Sequence, residues 1–218
     1  IQDAPMFEKV EQVNAYVNMF ISKAEFVKDV VADVLEKDSA YGKTNIGNGT
    51  PVIVEFSSPN IAKPFHIGHI RSTVIGNSIY KLYDAMGYKV TRINHLGDYG
   101  TQFGKMIVAY RRWGNEEDVK REPIKTLLHY YTKFHVEAEK DPTLEDEARA
   151  TFTKLEHGEP EETKLWQWFR DESLKEFTRV YDMLGISYDS YAGESFYSDK
   201  MPAIVETLKE KNLLVESK

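Results

Sequence analysis

The sequence contains no cysteine, and this absence excludes several kinds of protein at once. Without cysteine there is no disulfide framework, no thiolate nucleophile and no cysteine-ligated zinc site. A chain of this kind suits a reducing compartment, and we expect a cytoplasmic location. The sequence also lacks any run of about 18 apolar residues, so we expect neither a membrane-spanning helix nor a membrane partner.

The charge of the chain is unevenly distributed. The 218 residues carry a formal net charge of −7, which by itself argues weakly against a general nucleic-acid binder. However, residues 137–176 contain 13 acidic and 6 basic residues, and the rest of the chain carries equal numbers of the two. The acidic total therefore does not exclude a polyanionic partner for the remainder of the chain.

The hydrophobic pattern of the first half predicts a small leading region and then a βαβ unit. Alternating apolar residues predict one strand from Val13 to Ile21, and the Gly-, Asn- and Thr-rich stretch from Gly42 to Pro51 is typical of a linker. Val52 to Phe56 predicts a buried parallel strand, Gly68 to Met86 a helix, and Tyr88 to Asn94 the next strand. This order is consistent with a doubly wound, nucleotide-binding α/β fold.

From Thr101 to Leu184 the pattern is mostly helical. We expect the helices to be broken at Gly114, Pro123, Asp141-Pro142 and Gly158. The aromatic residues of the longest predicted helix have the spacing of a packed face. We therefore expect packing roles for Trp166, Trp168, Phe169 and Phe177.

Two histidines stand where the first predicted strand of the βαβ unit leads into its helix. His66 and His69 are three residues apart, so both rings can lie on one side of the first helical turn. A helix N-terminus offers free N–H groups and a positive dipole end, and Gly68 permits close approach of a ligand. Together with Lys63, the pair could stabilise charge on a phosphoryl group. The spacing also fits histidines that only cap the helix, or that bind a metal ion.

Two carboxylates occur near the predicted sheet edge. Glu55 ends an apolar strand, where a carboxylate is costly to bury without a cation. Its partner is either an internal arginine, Arg71 or Arg92, or a ligand guanidinium bound through two hydrogen bonds. Composition alone favours the internal pair. Asp98 lies in a Gly-Asp-Tyr-Gly turn where open α/β sheets bind ligands, although such a turn is also ordinary loop structure.

Three blocks of sequence resemble a known family. Residues 65–69 read FHIGH, a form of the HIGH signature of class I aminoacyl-tRNA synthetases. The longer block EFSSPNIAKPFHIGHIRST at 55–73 closely resembles arginyl-tRNA synthetases, as do NHLGDYGTQFG at 94–104 and YAGES at 191–195. On these blocks the chain is identified as a member of that family. It resembles the N-terminal part of the catalytic domain, with eukaryotic or fungal-like character.

The resemblance implies roles in binding the amino acid. Glu55, Ser58, Pro59 and Asn60 match positions that bind the arginine substrate. Glu55 would face its cationic group, which revises the expectation of an internal salt bridge. His69 would also approach the amino acid.

The resemblance also implies roles in binding ATP. His66 and His69 match the ATP-binding and catalytic histidines, and Gly68 would lie against the adenine. Lys63 matches a lysine that many members place before the signature, where it stands in for a lysine missing from their second signature loop. Asp98 is an additional candidate for the site.

The implied activity is that of an arginine–tRNA ligase. L-arginine reacts with ATP to give arginyl-adenylate, and the arginyl group then passes to tRNA(Arg) for protein synthesis. The implied partners are L-arginine, ATP and tRNA(Arg). Mg²⁺ would accompany ATP, and we expect no structural metal bound by the protein. Many members activate arginine only with tRNA bound, and the resemblance implies the same expectation here.

The implied fold class is α/β, with a Rossmann-like (HUP-type) nucleotide-binding sheet, a largely helical insertion and an incomplete C-terminus. We expect residues 1–45 to be the end of an N-terminal additional domain plus a linker. Residues 46–114 would form the first half of the catalytic domain, and residues 115–218 a mostly helical inserted region. The second signature loop and the Tyr, Asp and Gln of the arginine pocket would lie beyond Lys218. We therefore expect these 218 residues to be inactive alone.

Three other hypotheses remain open at this point. The first is an adenylyltransferase that shares the histidine signature and acts on another small substrate. The second is a truncated, non-catalytic paralogue that binds tRNA or a protein. The third is a metal hydrolase that would use His66, His69, His95 and Asp98.

Overall fold

The structure, a computed structural model, describes residues 5–214. It begins with an antiparallel hairpin in which β1 (Phe7–Val13) pairs with β2 (Tyr16–Ile21). The prediction of a single strand from Val13 to Ile21 is therefore wrong at its start. Asn14 has a φ of 55°, the left-handed conformation that a two-residue hairpin loop requires and that Asn tolerates.

The predicted linker is an ordered segment. It follows α1 (Lys23–Lys37) and a short 3₁₀ turn. The backbone N–H groups of Thr44 and Gly47 donate to the carbonyls of Ala85 and Met86, each at 2.8 Å. These bonds satisfy carbonyl groups at the end of the next helix, so the segment acts as its C-terminal cap.

The βαβ unit forms as predicted. β3 (Pro51–Glu55) and β4 (Lys89–Ile93) pair in parallel, and α2 (Ile67–Ala85) connects them. Gly76 of α2 lies directly on β3's end, where an added Cβ would be only 2.2 Å from Phe56 Cβ. This close packing places the N-terminus of α2 beside the carboxyl edge of the sheet, where ligands bind in such folds.

The parallel sheet is small within residues 5–214. It contains β3 and β4, and a single parallel bridge joins Ile93 to Ser190. The described residues thus contain one βαβ unit, and the doubly wound sheet that we expected stays a prediction. The C-terminus that we expected to be incomplete lies, from position 215 onward, outside the described residues.

A group of helices follows the sheet unit. They are α3 (Gln102–Trp113), α4 (Glu116–Arg121), α5 (Pro123–Ala138), α6 (Thr143–Glu156) and α7 (Pro160–Leu184), and α8 (Met201–Glu210) comes after them. The predicted helix breaks are confirmed. No helix of the described part is long and apolar enough to cross a membrane.

The core of the helical group is aromatic. Phe169 and Phe177 of α7 are at most 1% exposed, which confirms their packing role, and Trp166 and Trp168 pack against the same core while partly exposed. α3 packs on both α5 and α6, so it belongs spatially to this group. The domain boundaries at 45/46 and 114/115 stay predictions.

The chain after α7 returns to the sheet. Arg92 binds the Asp189 carboxylate through two hydrogen bonds, Nε to Oδ2 at 3.0 Å and Nη2 to Oδ1 at 2.7 Å. Asn94 N–H donates to the Ser190 carbonyl at 2.9 Å. These bonds hold the segment beside β4, next to the loop that carries the candidate site residues.

Candidate active site

The loop between β3 and α2 has an unusual backbone. Ser57, Ser58 and Ala62 have φ values of 77°, 49° and 61°. These values lie in the left-handed region, which is unfavourable for residues that carry a Cβ. Such conformations persist only where the surrounding structure imposes them, and they are concentrated at functional sites.

A buried hydrogen-bond network imposes this conformation. Tyr181 Oη lies 2.8 Å from Ser57 Oγ, and Thr73 Oγ1 donates to the same serine oxygen at 2.8 Å. Asn94 Nδ2 donates to Tyr181 Oη at 3.0 Å, and Asn94 Oδ1 accepts from Ser58 N–H at 3.2 Å. The side chains of the network are buried, so water cannot replace a lost partner.

Glu55 makes no ion pair within the described residues, so the internal salt bridge that composition favoured is wrong. Arg92 binds Asp189 instead. The register explains this choice, because Arg92 is opposite Val54 and its side chain therefore lies on the other face of the sheet from Glu55. Ser58 Oγ donates to Glu55 Oε1. The carboxylate is therefore oriented by one hydroxyl and remains open to a cationic ligand.

The two signature histidines cap α2 together. Gly68 N–H donates to His66 Nδ1 at 3.1 Å, and His66 N–H donates to His69 Nδ1 at 3.2 Å. Because each Nδ1 accepts a hydrogen bond, the proton of each neutral ring is assigned to Nε2. Both histidines therefore cap the helix, and this arrangement leaves two Nε2–H donors at the positive end of the helix dipole.

The ring of His69 is held by aromatic neighbours. Its centroid lies 5.3 Å from that of Phe65 in a stacked arrangement and 4.0 Å from that of His66. Burial lowers the pKa of His69 below its ordinary value, and the nearby His66 lowers it further. The neutral, hydrogen-bond-donating form of His69 is therefore favoured at neutral pH.

The loop after β4 packs directly on the signature loop. Gly97 N–H donates to the Pro59 carbonyl at 3.1 Å, and Ile61 N–H donates to the Gly97 carbonyl at 3.1 Å. An added Cβ on Gly97 would lie 2.2 Å from Asn60 Oδ1, so any other residue here would displace the Asn60 amide. The contact fixes Pro59 through backbone atoms and places the Asn60 amide over Gly97.

A cavity of about 360 Å³ lies beside the histidine pair. The signature loop contributes Asn60, Lys63, His66 and His69 to its wall. The opposite wall comes from the helical region and was not predicted. It is formed by Gln102 and Met106 of α3 and by Leu128 and Tyr131 of α5.

Asp98 lies outside this cavity wall and is fully buried. Its carboxylate accepts hydrogen bonds from Arg170 Nε at 2.9 Å and from Ser195 N–H and Oγ at 2.9 and 3.0 Å. Its carbonyl accepts one from Trp166 Nε1 at 2.7 Å. These partners occupy the oxygens, so Asp98 joins α7 and the 193–195 segment to the loop after β4.

The geometry does not support the metal hydrolase hypothesis. That hypothesis requires His66, His69, His95 and Asp98 to converge, but in residues 5–214 no three such side chains are close enough to share an ion. His95 Nδ1 instead lies 3.1 Å from the Ala192 carbonyl. The two signature histidines come together without the other two residues.

The fold and the site define a class of protein. A parallel βαβ unit whose helix begins at paired HIGH histidines is typical of the catalytic domain of class I aminoacyl-tRNA synthetases. More particularly, the chain belongs to the family described as tRNA synthetases class I (R), catalytic domain, whose sequence pattern matches residues 30–218. Glu55, Ser58 and the histidine pair all lie within the matched range.

Curated relatives are bacterial. The arginine–tRNA ligase of Clostridioides difficile is 59% identical over 218 residues, and that of Ligilactobacillus salivarius is 57% identical over 215 residues. The eukaryotic or fungal-like character that we expected is therefore wrong. The matches cover 100% and 99% of this chain, but the chain spans only 38% of the length of either relative.

Two solved structures share the fold of this chain. An arginyl-tRNA synthetase from Plasmodium falciparum matches 99% of this chain and 38% of its own, with a TM-score of 0.67 and 28% identity. A Thermus thermophilus arginyl-tRNA synthetase matches 87% of this chain with a TM-score of 0.62. At 21% identity, the second match supports the fold alone.

We predict that His69 titrates below the ordinary histidine value of 6.5. Between the lowered pKa of the folded state and pH 6.5, the unfolded chain binds more protons at His69 than the folded chain does. The contribution of His69 to the free energy of folding is therefore complete above pH 6.5 and is lost as the pH falls toward the lower folded pKa. Titration by NMR measures the pKa, and ¹⁵N shifts report the protonated nitrogen. The variant His66→Asn should raise the pKa only partly, because burial remains. A pKa above 6.5, or a proton on Nδ1 of the neutral ring, would contradict the assignment.

Proposed function

We propose that the protein activates L-arginine with ATP and transfers the arginyl group to tRNA. The observation that carries the proposal is the Glu55 carboxylate, which ends β3 with a hydroxyl partner and is followed, through the signature loop, by a helix N-terminus of the kind that can bind phosphate. Family membership supports the same activity. Because the chain spans 38% of its curated relatives, the substrates and partners of the whole protein are part of this proposal.

The arginine half of the site centres on Glu55. A carboxylate can match the planar guanidinium through paired hydrogen bonds, one to each oxygen, and a lysine ammonium cannot reproduce that geometry. Ser58 holds the carboxylate from one side. Pro59 fixes the loop backbone, and the Asn60 amide on Gly97 offers further polar groups to the α-amino or α-carboxyl end of the amino acid.

The ATP half centres on the start of α2. The Nε2–H groups of His66 and His69 act as neutral donors to phosphate oxygens, and the helix dipole adds a favourable field. Lys63, an exposed side chain in the cavity wall, adds a mobile positive charge. Gly68 has no side chain over the first turn, so an adenine can lie against the backbone there. The nucleotide is proposed to bind as its Mg²⁺ complex, in which the ion is held mainly by the phosphates.

The reaction then requires positioning rather than general base catalysis. A carboxylate oxygen of arginine attacks the α-phosphorus of ATP, and the bond from that phosphorus to the pyrophosphate oxygen breaks. The nucleophile is already ionised, so no proton is removed, and the donors of α2 stabilise the charge that develops on phosphate oxygens. A terminal ribose hydroxyl of tRNA then attacks the arginyl carbonyl, the bond from that carbon to the phosphate oxygen breaks and releases AMP, and the hydroxyl proton passes to the departing phosphate or to solvent. We also propose that the protein is located in the cytoplasm.

Pyrophosphate exchange tests the proposed function most simply. With the full-length protein, labelled pyrophosphate should enter ATP when arginine is supplied, in assays run with and without tRNA. Lysine and ornithine should support little exchange because they lack a guanidinium. Equal exchange with lysine or ornithine would contradict the assignment and favour an adenylyltransferase of another specificity. An absence of exchange with every amino acid would favour a non-catalytic paralogue.

Two variants of His66 separate its capping role from its chemical role. Asn caps helices well and can accept the Gly68 N–H bond, but it lacks the Nε2–H donor, whereas Ala lacks both. We predict that His66→Asn and His66→Ala both lower kcat of exchange by about 100-fold. Only His66→Ala should also lower the Tm. If His66→Asn retained the wild-type kcat, the histidine would serve only as a helix cap.

A further inference from the structure

One residue of the helical region contacts both halves of the candidate site. Tyr181 lies near the C-terminal end of α7 and is 1% exposed. Its hydroxyl lies 2.8 Å from Ser57 Oγ and accepts a hydrogen bond from Asn94 Nδ2 at 3.0 Å. Its ring packs edge-on against Phe65 at 5.8 Å between centroids. A single side chain of α7 therefore touches the loop after β3 and the segment that leads into α2.

The hydroxyl and the ring of Tyr181 act on different halves. The hydroxyl supports Ser57 directly and Ser58 through Asn94, and Ser58 Oγ in turn donates to Glu55. The ring supports Phe65, which stacks on His69. Burial raises the pKa of Tyr181, so the hydroxyl stays protonated and can donate.

A neighbouring tyrosine offers a comparison for the hydroxyl of Tyr181. The Tyr188 ring lies 5.1 Å from the Tyr181 ring and 4.8 Å from Phe56. Its hydroxyl oxygen is also buried, close to Ser57 and Tyr181, but it has no partner with hydrogen-bond geometry among the described residues. The same aromatic cluster thus contains one tyrosine whose hydroxyl is fully used and one whose hydroxyl is not.

We propose that Tyr181 is a positioning residue, whose hydroxyl holds the Ser57-Ser58 backbone in the left-handed conformation that presents Glu55 and Ser58 to the amino acid. The inference rests on the proposed function. Without the hydroxyl, the strained loop populates other conformations in the free protein, and the apparent affinity for arginine falls by the fraction that remains competent. The ATP half keeps its support, because a phenylalanine ring at the same place still packs against Phe65.

The test compares two matched variants of the full-length protein in the pyrophosphate exchange assay. Tyr181→Phe should raise the KM for arginine about tenfold and change the KM for ATP less than twofold, because buried partners lose a hydrogen bond on the arginine side only. Tyr188→Phe should leave both constants within twofold of the wild type. Tyr181→Leu, which removes the ring as well, should raise the KM for ATP in addition.

A second readout does not depend on activity. Hydrogen exchange of the peptide that spans residues 55–60 should be faster in Tyr181→Phe than in Tyr188→Phe, at equal Tm or after correction for it. Equal exchange and equal KM values in the two variants would overturn the inference. A rise of both KM values in Tyr181→Phe, together with a lower Tm, would also overturn it, since that is the result of general destabilisation. If the wild type showed no arginine-dependent exchange, the proposed function would fail, and hydrogen exchange would still decide the role of Tyr181.

Discussion

The candidate site depends on how the chain passes from the end of β3 into α2. Ser57, Ser58 and Ala62 adopt backbone conformations that cost free energy by themselves. For the two serines, this cost is offset by buried hydrogen bonds to Thr73, Asn94 and Tyr181. These partners come from α2, from the end of β4 and from α7. The shape of a short loop is thus determined by three elements that are far apart in sequence.

This shared constraint gives one loop two ends that suit ligands of opposite charge. The upstream end of the loop exposes a carboxylate that is oriented by Ser58 and not neutralised by Arg92. The downstream end leads into α2, where two imidazole rings add to the backbone N–H donors of the first turn. The Nδ1 atoms of these rings accept the capping hydrogen bonds, and their Nε2–H groups are available to donate. A cation and a polyphosphate can therefore bind within one continuous segment, and α3 and α5 form the facing wall of the cavity beside it.

Local sequence was sufficient to predict much of this arrangement. β-branched runs, helical spacing and Gly or Pro breaks located the βαβ unit and the five helices, because those elements follow local hydrophobic period and turn chemistry. The turn at Asn14 was missed because alternation continued on both sides of it. The partner of Glu55 could not be derived from composition, since the choice depends on which face of the sheet Arg92 occupies. Helical spacing did not reveal the site contacts of Tyr181, Leu128 and Tyr131. A residue that only packs and a residue that supports a site have the same spacing along a helix.

The central claim is that Glu55 recognises the charge and shape of a guanidinium, and one binding measurement tests it most directly. Citrulline has nearly the shape of arginine but carries a neutral urea group. Calorimetry on the full-length protein should give a Kd for arginine about 100-fold lower than that for citrulline, as expected for loss of one member of a charge pair. In Glu55→Gln this ratio should fall close to one. A ratio near one in the wild type, or an unchanged ratio in Glu55→Gln, would contradict the account.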